Sequence, residues 1–240
     1  WDFGDGQTSV VQHPAHTYSA SGSYTVQLIV SSNEGCSDTI QQTIYVDALP
    51  NVQFALTNEC INNAVSFDNQ TPEAPPLLFT WDFGDGSATS AIEDPTHTYT
   101  VAGGYTVELV VENSNGCKDS LSQPITIYAL PVIDAGLDLS VCPNTSVTLN
   151  GAGGVSYTWD NSVSNGVAFT PTTTTTYTVT GTDANGCLNT DQLQVTLFVP
   201  PIVDAGLDVE VCTGTSVTFF GSGAATYSWD GGVIDGQSFV

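Results

Sequence analysis

The chain has 240 residues and an extreme charge balance, with 25 acidic residues against a single lysine or arginine and a formal net charge of −24. Binding to nucleic acid or to an anionic membrane surface needs basic residues, so both classes of partner are excluded. No apolar stretch approaches the length of a membrane span, so we expect no membrane insertion. Such an acidic surface suits high ionic strength, where charge repulsion is screened.

The first half of the chain contains one module twice. The hexapeptide Trp-Asp-Phe-Gly-Asp-Gly begins at Trp1 and again at Trp81, 80 residues later (81 − 1). The same marks follow each copy: His-Thr-Tyr at 16–18 and 97–99, Tyr-Thr-Val at 24–26 and 105–107, and Gly-Cys at 35–36 and 116–117. Repetition at a fixed period indicates an array of modules. A module built twice for the same job is rarely a catalyst.

A related, shorter module occupies the second half. Asp-Ala-Gly-Leu-Asp at 134–138 returns at 204–208, and Val-Cys at 141–142 returns at 211–212, each after 70 residues (204 − 134 and 211 − 141). Both module types contain an early cysteine, an aromatic-x-Trp-Asp strand, a polar loop, Tyr-Thr-Val and a late Gly-Cys. They therefore look like two variants of one fold.

The hydrophobic pattern predicts strands and no helices. Apolar or aromatic residues alternate with others over 24–30 and again over 105–111, which is the period of a strand with one buried face. Short strands between Gly, Asn, Asp and Pro clusters predict an all-β fold of tandem immunoglobulin-like β-sandwiches. One tryptophan takes the same position in each module, and that position is predicted to be core: Trp1, Trp81, Trp159 and Trp229.

Proline-containing segments at 49–50, 130–131 and 199–201 separate the modules, because proline cannot continue a strand ladder. The predicted domains are the C-terminal part of a domain at 1–47, complete domains at 48–128 and 129–199, and the N-terminal part of a domain at 200–240. Joints of only a few residues predict an elongated rod. We expect the chain to be a segment of a much longer protein.

One early and one late cysteine per module predict an intradomain disulfide in each complete domain: Cys60 to Cys117, and Cys142 to Cys187. Cys36 and Cys212 would then pair outside this sequence, although connectivity cannot be proved from sequence. Each bond would contribute roughly 4 kcal/mol in the chain-entropy model. Disulfides place the chain in an oxidising, extracellular setting. Zinc is disfavoured, since no Cys-x-x-Cys or Cys/His cluster is present.

Acidic residues in glycine-rich turns have two interpretations. Turn chemistry is favoured, because a short carboxylate accepts hydrogen bonds from nearby backbone amides: Asp2, Asp5, Asp82 and Asp85. Calcium is the alternative, although the dense acidic ladder of a calcium loop is missing. A second acidic set lies beside the predicted joints and is either a solvated face or a calcium site: Asp134, Asp138, Asp204 and Asp208. No other cofactor is predicted.

His16 and His97 precede a tyrosine by two positions in two repeats. A repeated placement of this kind favours a packing or hydrogen-bonding role over catalysis. The sequence contains no nucleophile with its base, no close acid pair in a distinct pocket and no metal cluster. We therefore predict that the chain is not an enzyme.

These motifs carry a family resemblance. The hexapeptide, Pro-x-His-Thr-Tyr at 14–18 and 95–99, and Gly-x-Tyr-Thr-Val at 22–26 and 103–107 resemble the PKD domain over roughly the first half of the chain. The later modules are similar to immunoglobulin-like repeats of very large Bacteroidetes surface proteins. Those proteins include gliding-motility adhesins and adhesive filaments of predatory marine species, typically exported by type IX secretion. The resemblance implies an extracellular, cell-surface adhesin or filament.

Two tripeptides match the short acceptor pattern for O-glycosylation in Bacteroidetes. They are Asp-Thr-Ile at 38–40 and Asp-Ser-Leu at 119–121, and they make Thr39 and Ser120 candidate acceptors.

Three functions follow from these features. The first is a structural, disulfide-stabilised and non-catalytic stalk segment of a very large secreted adhesin or adhesive filament. The second is a glycan- or protein-binding module, and the third is an accessory region of a secreted hydrolase. Expected partners are other domains of the same long chain. Identical chains in a fibre, surface glycans, and prey or substratum surfaces are further candidates.

Overall fold

The computed structural model describes residues 1–72 and 76–239, and it confirms the predicted all-β class. The chain divides into two compact units, Trp1–Leu130 and Pro131–Val240. Within the described residues, every regular element is a strand except one short 3-10 turn at Asp230–Gly232.

The described residues of the first unit form ten strands. They are β1 (Gly22–Ser31), β2 (Ser37–Val46), β3 (Phe54–Ala55), β4 (Glu59–Cys60), β5 (Ala64–Ser66), β6 (Asp68–Asn69), β7 (Leu78–Asp82), β8 (Thr96–Thr98), β9 (Gly103–Glu112) and β10 (Lys118–Tyr128). The strands β1 and β9 cover the two stretches in which the sequence pattern predicts a half-buried strand.

A four-stranded sheet in the order β4-β10-β9-β7 forms one layer of the second PKD-like module. Its neighbours pair antiparallel except β4, which runs parallel to β10. The short pairs β3–β6 and β5–β8 supply further strands, and buried side chains from both sets form a single core. Val107, Leu109 and Val111 of β9 are fully buried in this core, each burial stabilising by about 1.5–3 kcal/mol.

The first copy of the module has the same hairpin with a more open face. The strands β1 and β2 pair in register from Gly22 opposite Val46 to Ser31 opposite Ser37. Val26 is buried, but Ile29, Val30 and Ile40 are more than half exposed. The hairpin is therefore formed without a complete apolar cover among the described residues.

The described residues of the second unit form eight strands and repeat the architecture. They are β11 (Leu139–Val141), β12 (Val147–Thr148), β13 (Ser156–Trp159), β14 (Ala168–Phe169), β15 (Thr175–Thr182), β16 (Leu188–Leu197), β17 (Val217–Thr218) and β18 (Ser238–Phe239). The sheet order β11-β16-β15-β13, with β11 parallel to β16, matches that of the first unit. Trp159 lies in its core as Trp81 does in the first. The two module types are therefore variants of one fold.

The predicted intradomain disulfides are wrong in their pairing. Cys60 and Cys187 are disulfide-bonded, whereas four other cysteines are free thiols: Cys36, Cys117, Cys142 and Cys212. The bonds Cys60 to Cys117 and Cys142 to Cys187 are therefore not present.

Strand length is the reason. Cys60 pairs with Tyr128 at the last residue of β10, whereas Cys117 immediately precedes Lys118, the first residue of that 11-residue strand. At about 3.3 Å per residue the two cysteines lie roughly 30–35 Å apart, against about 4–7 Å between the Cα atoms of a disulfide. Cys142 and Cys187 are separated in the same way by the ten residues of β16.

Candidate functional site

The hexapeptide of the second copy ends β7 and forms a tight turn. Asp82 Oδ1 accepts a hydrogen bond from the Gly84 amide at 2.8 Å, and Asp85 Oδ1 accepts one from the Ser87 amide at 3.0 Å. The first copy repeats both bonds, from Gly4 to Asp2 Oδ1 and from Gln7 to Asp5 Oδ1. These bonds confirm the predicted turn chemistry of the four aspartates.

Gly84 lets this turn lie directly against the strand β9. Its φ of +76° is in the left-handed region that favours glycine, and a Cβ atom there would collide with the backbone carbonyl of Thr106. Gly86 has a similar φ of +78° but open space around it. The sequence thus needs glycine at 84 for two reasons and at 86 for one.

The second carboxylate oxygen of Asp85 binds a histidine of β8. Asp85 Oδ2 lies 2.7 Å from His97 Nε2, and both side chains are mostly buried. The His97 ring stacks on Phe83 with centroids 4.2 Å apart and an angle of 2°, and meets Tyr99 edge-on at 4.7 Å. His97 therefore has a packing and hydrogen-bonding role, as the repeat predicts.

Two tyrosines complete the cluster. Tyr99 is buried, donates from its hydroxyl to the Phe83 carbonyl at 2.9 Å, and stacks on Tyr105 at 4.6 Å. The Tyr105 hydroxyl donates to the Val101 carbonyl at 2.7 Å. These bonds tie the hexapeptide turn to the loop before β9, so we call Phe83, Asp85, His97, Tyr99 and Tyr105 the turn cluster.

At neutral pH the electrostatics of the turn cluster favour an ionised aspartate and a neutral tyrosine. Burial by itself would raise the pKa of Asp85, but hydrogen bonds from Ser87 and His97 outweigh it and lower the pKa to about 2. Burial raises the pKa of the Tyr99 phenol, and the nearby Asp85 carboxylate raises it further. Both pKa shifts are therefore directed away from neutral pH.

The first copy builds the same cluster from Phe3, Asp5, His16, Tyr18 and Tyr24. Asp5 Oδ2 lies 2.8 Å from His16 Nε2, and His16 stacks on Phe3 at 4.0 Å and 6°. Burial would raise the pKa of Asp5, but hydrogen bonds from His16 and the Gln7 amide lower it overall. The packing prediction for His16 is therefore confirmed as well.

The aspartates beside the joints accept hydrogen bonds from backbone amides. Asp134 Oδ1 accepts from Gly136 at 2.8 Å, Asp138 Oδ1 from Gln194 at 2.7 Å, and Asp204 Oδ1 from Gly206 at 2.9 Å. Asp208 lies in an exposed segment. Across residues 1–72 and 76–239, no group of three or more His, Cys, Asp or Glu side chains could hold a metal ion. Calcium binding stays a prediction.

The two candidate acceptors for O-glycosylation occupy equivalent places. Thr39 lies on β2 and Ser120 on β10, and both are exposed. The preceding aspartate accepts a hydrogen bond from the backbone amide of each acceptor, at 2.8 Å for Thr39 and 2.9 Å for Ser120. Their modification stays a prediction.

Sequence reasoning missed the residue that shapes the turn before each late cysteine. Asn113 Oδ1 accepts from the amides of Asn115 and Cys117, both at 3.0 Å. Asp183 Oδ1 does the same for Asn185 and Cys187, at 2.8 and 2.9 Å. The available signal was an Asn or Asp four residues before the cysteine, because these side chains mimic a backbone turn.

The described part of the chain contains no helix with the length and apolar character that crossing a membrane requires. Its single lysine, Lys118, forms an ion pair with Glu112 at 2.9 Å across the ends of β10 and β9. The rest of the surface therefore remains acidic.

Comparison with known proteins identifies the first half. The chain is 55% identical to the pre-pro-metalloprotease PrtV of Vibrio cholerae over 53 residues, which is 21% of this chain and 6% of that protein. It is 45% identical to a microbial collagenase of Vibrio alginolyticus over 49 residues, 20% of this chain and 6% of that protein. The chain thus spans only about 6% of the length of these curated relatives.

A solved structure, the PKD1 domain of Vibrio anguillarum Epp, aligns with a TM-score of 0.31 and 27% identity, covering 34% of this chain and 96% of that one. The PKD domain family matches residues 1–48 and again residues 47–129. Since these matches cover more than half of the 240 residues, the chain belongs to the PKD domain family.

Proposed function

We propose that the chain is a stalk segment of a very large, secreted cell-surface adhesin or adhesive filament, in which it spaces other regions and performs no catalysis. The observation that carries this proposal is the repetition of one module in which the polar side chains of the turn cluster bind groups of the same module. In both copies of the turn cluster the aspartate, the histidine and the tyrosine hydroxyls bind other groups of the same module. Side chains that hydrogen-bond within their own module stabilise its fold.

Disulfide-bonded Cys60 and Cys187 support an extracellular location, because disulfides persist in oxidising compartments. The acidic surface supports exposure to saline surroundings. With one lysine and no arginine, the chain also offers trypsin-like proteases almost no cleavage site. These properties suit an exposed appendage.

The partners that suit a stalk are the neighbouring domains of the same long chain. Identical chains could be added laterally to a fibre, because exposed edge strands offer unpaired backbone groups. Surface glycans, prey or substratum would be contacted by other regions of the parent. The Bacteroidetes origin, the type IX export route, and a role in gliding or predation all rest on sequence resemblance alone.

Electron microscopy of cells that carry the parent protein tests the stalk. We expect surface fibres that antibodies against residues 1–240 label along their length. A parent that lacks residues 129–198, one 70-residue repeat, should form a shorter fibre with unchanged adhesion. Loss of adhesion with unchanged fibre length would instead support the glycan- or protein-binding module.

A second candidate is an accessory region of a secreted hydrolase. The observation that favours it is the similarity to a pre-pro-metalloprotease and a collagenase. In that case the parent would be released into the medium together with a catalytic domain, and no labelled fibres would be seen. The same microscopy, repeated with EDTA, also tests calcium: fibres lost in EDTA would indicate a cation at the aspartates beside the joints.

A further inference from the structure

Asparagine is followed directly by glycine at several places in the chain. In such a pair the backbone nitrogen of the glycine can attack the asparagine carboxamide, because glycine has no Cβ atom to obstruct the approach. The structure gives these pairs different surroundings, so their reactivity in the folded protein should differ. The asparagines concerned are Asn115, Asn150, Asn165 and Asn185.

Two of these pairs are restrained within their own module. Asn165 Oδ1 accepts hydrogen bonds from the Gly151 amide at 2.8 Å and from the Trp159 indole at 3.0 Å. These bonds hold the carboxamide of Asn165, and they also engage the backbone nitrogen that would attack Asn150. The Tyr157 ring lies against Gly151, where an added Cβ atom would come within 2.6 Å of it. In neither pair, therefore, are both reacting groups available.

The other two asparagines occupy the same place in equivalent turns. Asn115 and Asn185 are exposed, and each is followed by Gly-Cys just before β10 or β16. A Cβ atom added to Gly186 would have no atom within 4 Å, and one added to Gly116 would meet only the Glu112 carboxylate at 3.8 Å. A five-membered ring formed at either position would therefore have room.

One hydrogen bond distinguishes these two turns. Asn115 Nδ2 donates to Asp47 Oδ2 at 2.9 Å, whereas the Asn185 carboxamide has no hydrogen-bond partner among residues 1–72 and 76–239. The attacking glycine amide is held alike in both turns. It donates to the carbonyl three residues earlier at 3.0 Å in the turn of Asn115 and at 3.2 Å in that of Asn185. Of the two carboxamides, that of Asn185 can therefore rotate more freely toward the nitrogen.

We propose that Asn185 is a site of spontaneous deamidation, a modification that needs water and no enzyme. The Gly186 nitrogen gives its proton to hydroxide and bonds to Cγ of Asn185. The bond from Cγ to Nδ2 breaks, and ammonia leaves with a proton taken from water, which regenerates the hydroxide. Water then opens the succinimide ring. Hydrolysis at Cγ leaves aspartate, and hydrolysis at the main-chain carbonyl leaves isoaspartate, in which the backbone runs through Cγ.

The two products should affect the turn differently. The first copy carries Glu34 at the equivalent place, before Gly-Cys at 35–36, in a turn with the same backbone hydrogen bonds. An acidic residue therefore fits, and the aspartate product should keep the fold. Isoaspartate adds a methylene to the backbone and should disturb the bonds that Asp183 Oδ1 accepts from the amides of Asn185 and Cys187. The start of β16 would then be loosened, whether the parent is a stalk or an accessory region.

Peptide mapping of the whole 240-residue chain after incubation at mildly alkaline pH tests the site. Folded and urea-unfolded samples are reduced, alkylated and digested with pepsin at acidic pH, where ring formation is slow. The mass gain that accompanies replacement of NH2 by OH is followed at each asparagine. One net hydrogen bond corresponds to a factor of about three to ten in rate, so folded Asn185 should react faster than Asn115 by about that factor.

The other rates provide internal controls. Asn150 and Asn165 should react more slowly than Asn185 in the folded chain. In the unfolded chain Asn115 and Asn185 should react at equal rates, because both precede Gly-Cys. Equal rates for these two in the folded chain would overturn the proposal, as would a folded Asn185 that stays unmodified while the unfolded chain reacts.

Two variants sharpen the test. Asp47→Ala removes the partner of the Asn115 carboxamide, so Asn115 should then react at about the rate of Asn185. Asn185→Gln should abolish the modification at 185 and leave Asn115 unchanged, because glutamine must close a larger ring. A rate at Asn115 that Asp47→Ala does not raise would contradict the proposal. If a variant fails to fold, the comparison of folded with unfolded wild type remains decisive.

Discussion

The two copies of the PKD module share their local geometry and differ in their burial. The carboxylate–imidazole distance is 2.8 Å in the first copy and 2.7 Å in the second, and the stacked rings lie 4.0 and 4.2 Å apart. Trp81, however, is fully buried, whereas Trp1 is only half-buried. The turn cluster is therefore encoded by the module's own short motifs.

The burial comes from residues that lie well before Trp81 in the sequence. The core around Trp81 includes Val52, Phe54, Val65 and Phe67, which all precede β7. The first copy starts at Trp1, so no residues of the 240-residue sequence correspond to these, and its apolar face is open at Ile29 and elsewhere. The comparison therefore distinguishes two contributions: local hydrogen bonds, which are the same in both copies, and the apolar core, which is complete only around Trp81.

Replacing the central tryptophan should give the largest difference between the copies. Trp81→Ala removes an indole that packs edge-on against Phe54 at 5.0 Å and also contacts Phe67 at 5.5 Å. We expect a loss of about 3–5 kcal/mol in unfolding free energy, read from hydrogen exchange of the β9 amides. Trp1→Ala, read at β1, should lose less than about 2 kcal/mol. Equal losses would show that the first copy is as well packed as the second.

Alanine at the turn glycines should affect both copies alike, because it tests local geometry. Gly84→Ala meets both an unfavourable φ and the Thr106 carbonyl, and we expect a loss of about 2–3 kcal/mol. The matched control Gly86→Ala has the unfavourable φ alone and should lose about 1 kcal/mol.

The corresponding pair in the first copy is Gly4 and Gly6. Gly4 also lies against a backbone carbonyl, that of Thr25, and Gly6 has open space. Hydrogen exchange in each hairpin should therefore show the same order of losses. A large loss of unfolding free energy for Gly4→Ala and a small one for Gly84→Ala, or the reverse, would contradict the view that the geometry of the turn itself decides the effect.

Much of this architecture could be predicted from the sequence, because its signals are local. Alternating apolar residues at 105–111 placed β9, and the spacing of aspartates and glycines placed the hydrogen-bonded turns. The repeat itself indicated a packing role for His97. Each of these inferences depends on residues within a few positions of each other or on comparison of two copies.

The disulfide pairing could not be obtained in that way. One early and one late cysteine per module suggest a bond, but they do not reveal that β10 places Cys60 and Cys117 at its opposite ends. That separation follows from the parallel pairing of β4 with the end of β10, which is a long-range contact. The partner of the His97 imidazole was missed for a similar reason, since Asp85 lies 12 residues away across a loop.

Removing one tyrosine hydroxyl should also destabilise the two copies unequally, but the difference should be smaller than for the tryptophan variants. Tyr99→Phe leaves the Phe83 carbonyl without its donor in a buried site, and we expect a loss of about 1–2 kcal/mol. Tyr18→Phe removes the same bond to Phe3, at 3.0 Å in a half-buried site where water can replace the donor, and should lose about 0.5 kcal/mol. Hydrogen exchange at β9 and β1 measures both, and a larger loss at Tyr18 would contradict the burial difference.

Acid should weaken the second copy through Asp85. Its pKa in the folded protein is about 2, below the ordinary value of 3.8, so the unfolded chain binds the proton more tightly. The stabilisation is therefore complete above about pH 4 and is lost as the pH falls through about 2. We expect wild type to exceed Asp85→Asn by about 1 kcal/mol at pH 5, after allowance for solvent screening, and by almost nothing below pH 2.

Asp5→Asn is the matched control in the first copy. The pKa of Asp5 is lowered as well, so the advantage of wild type should fall with pH in the same direction. Hydrogen exchange of β9 and β1 between pH 5 and 2 measures both copies in one sample. An advantage of Asp85 that stays constant over this range would mean that its carboxylate shapes the turn without depending on its charge, and the two copies would then differ only in their cores.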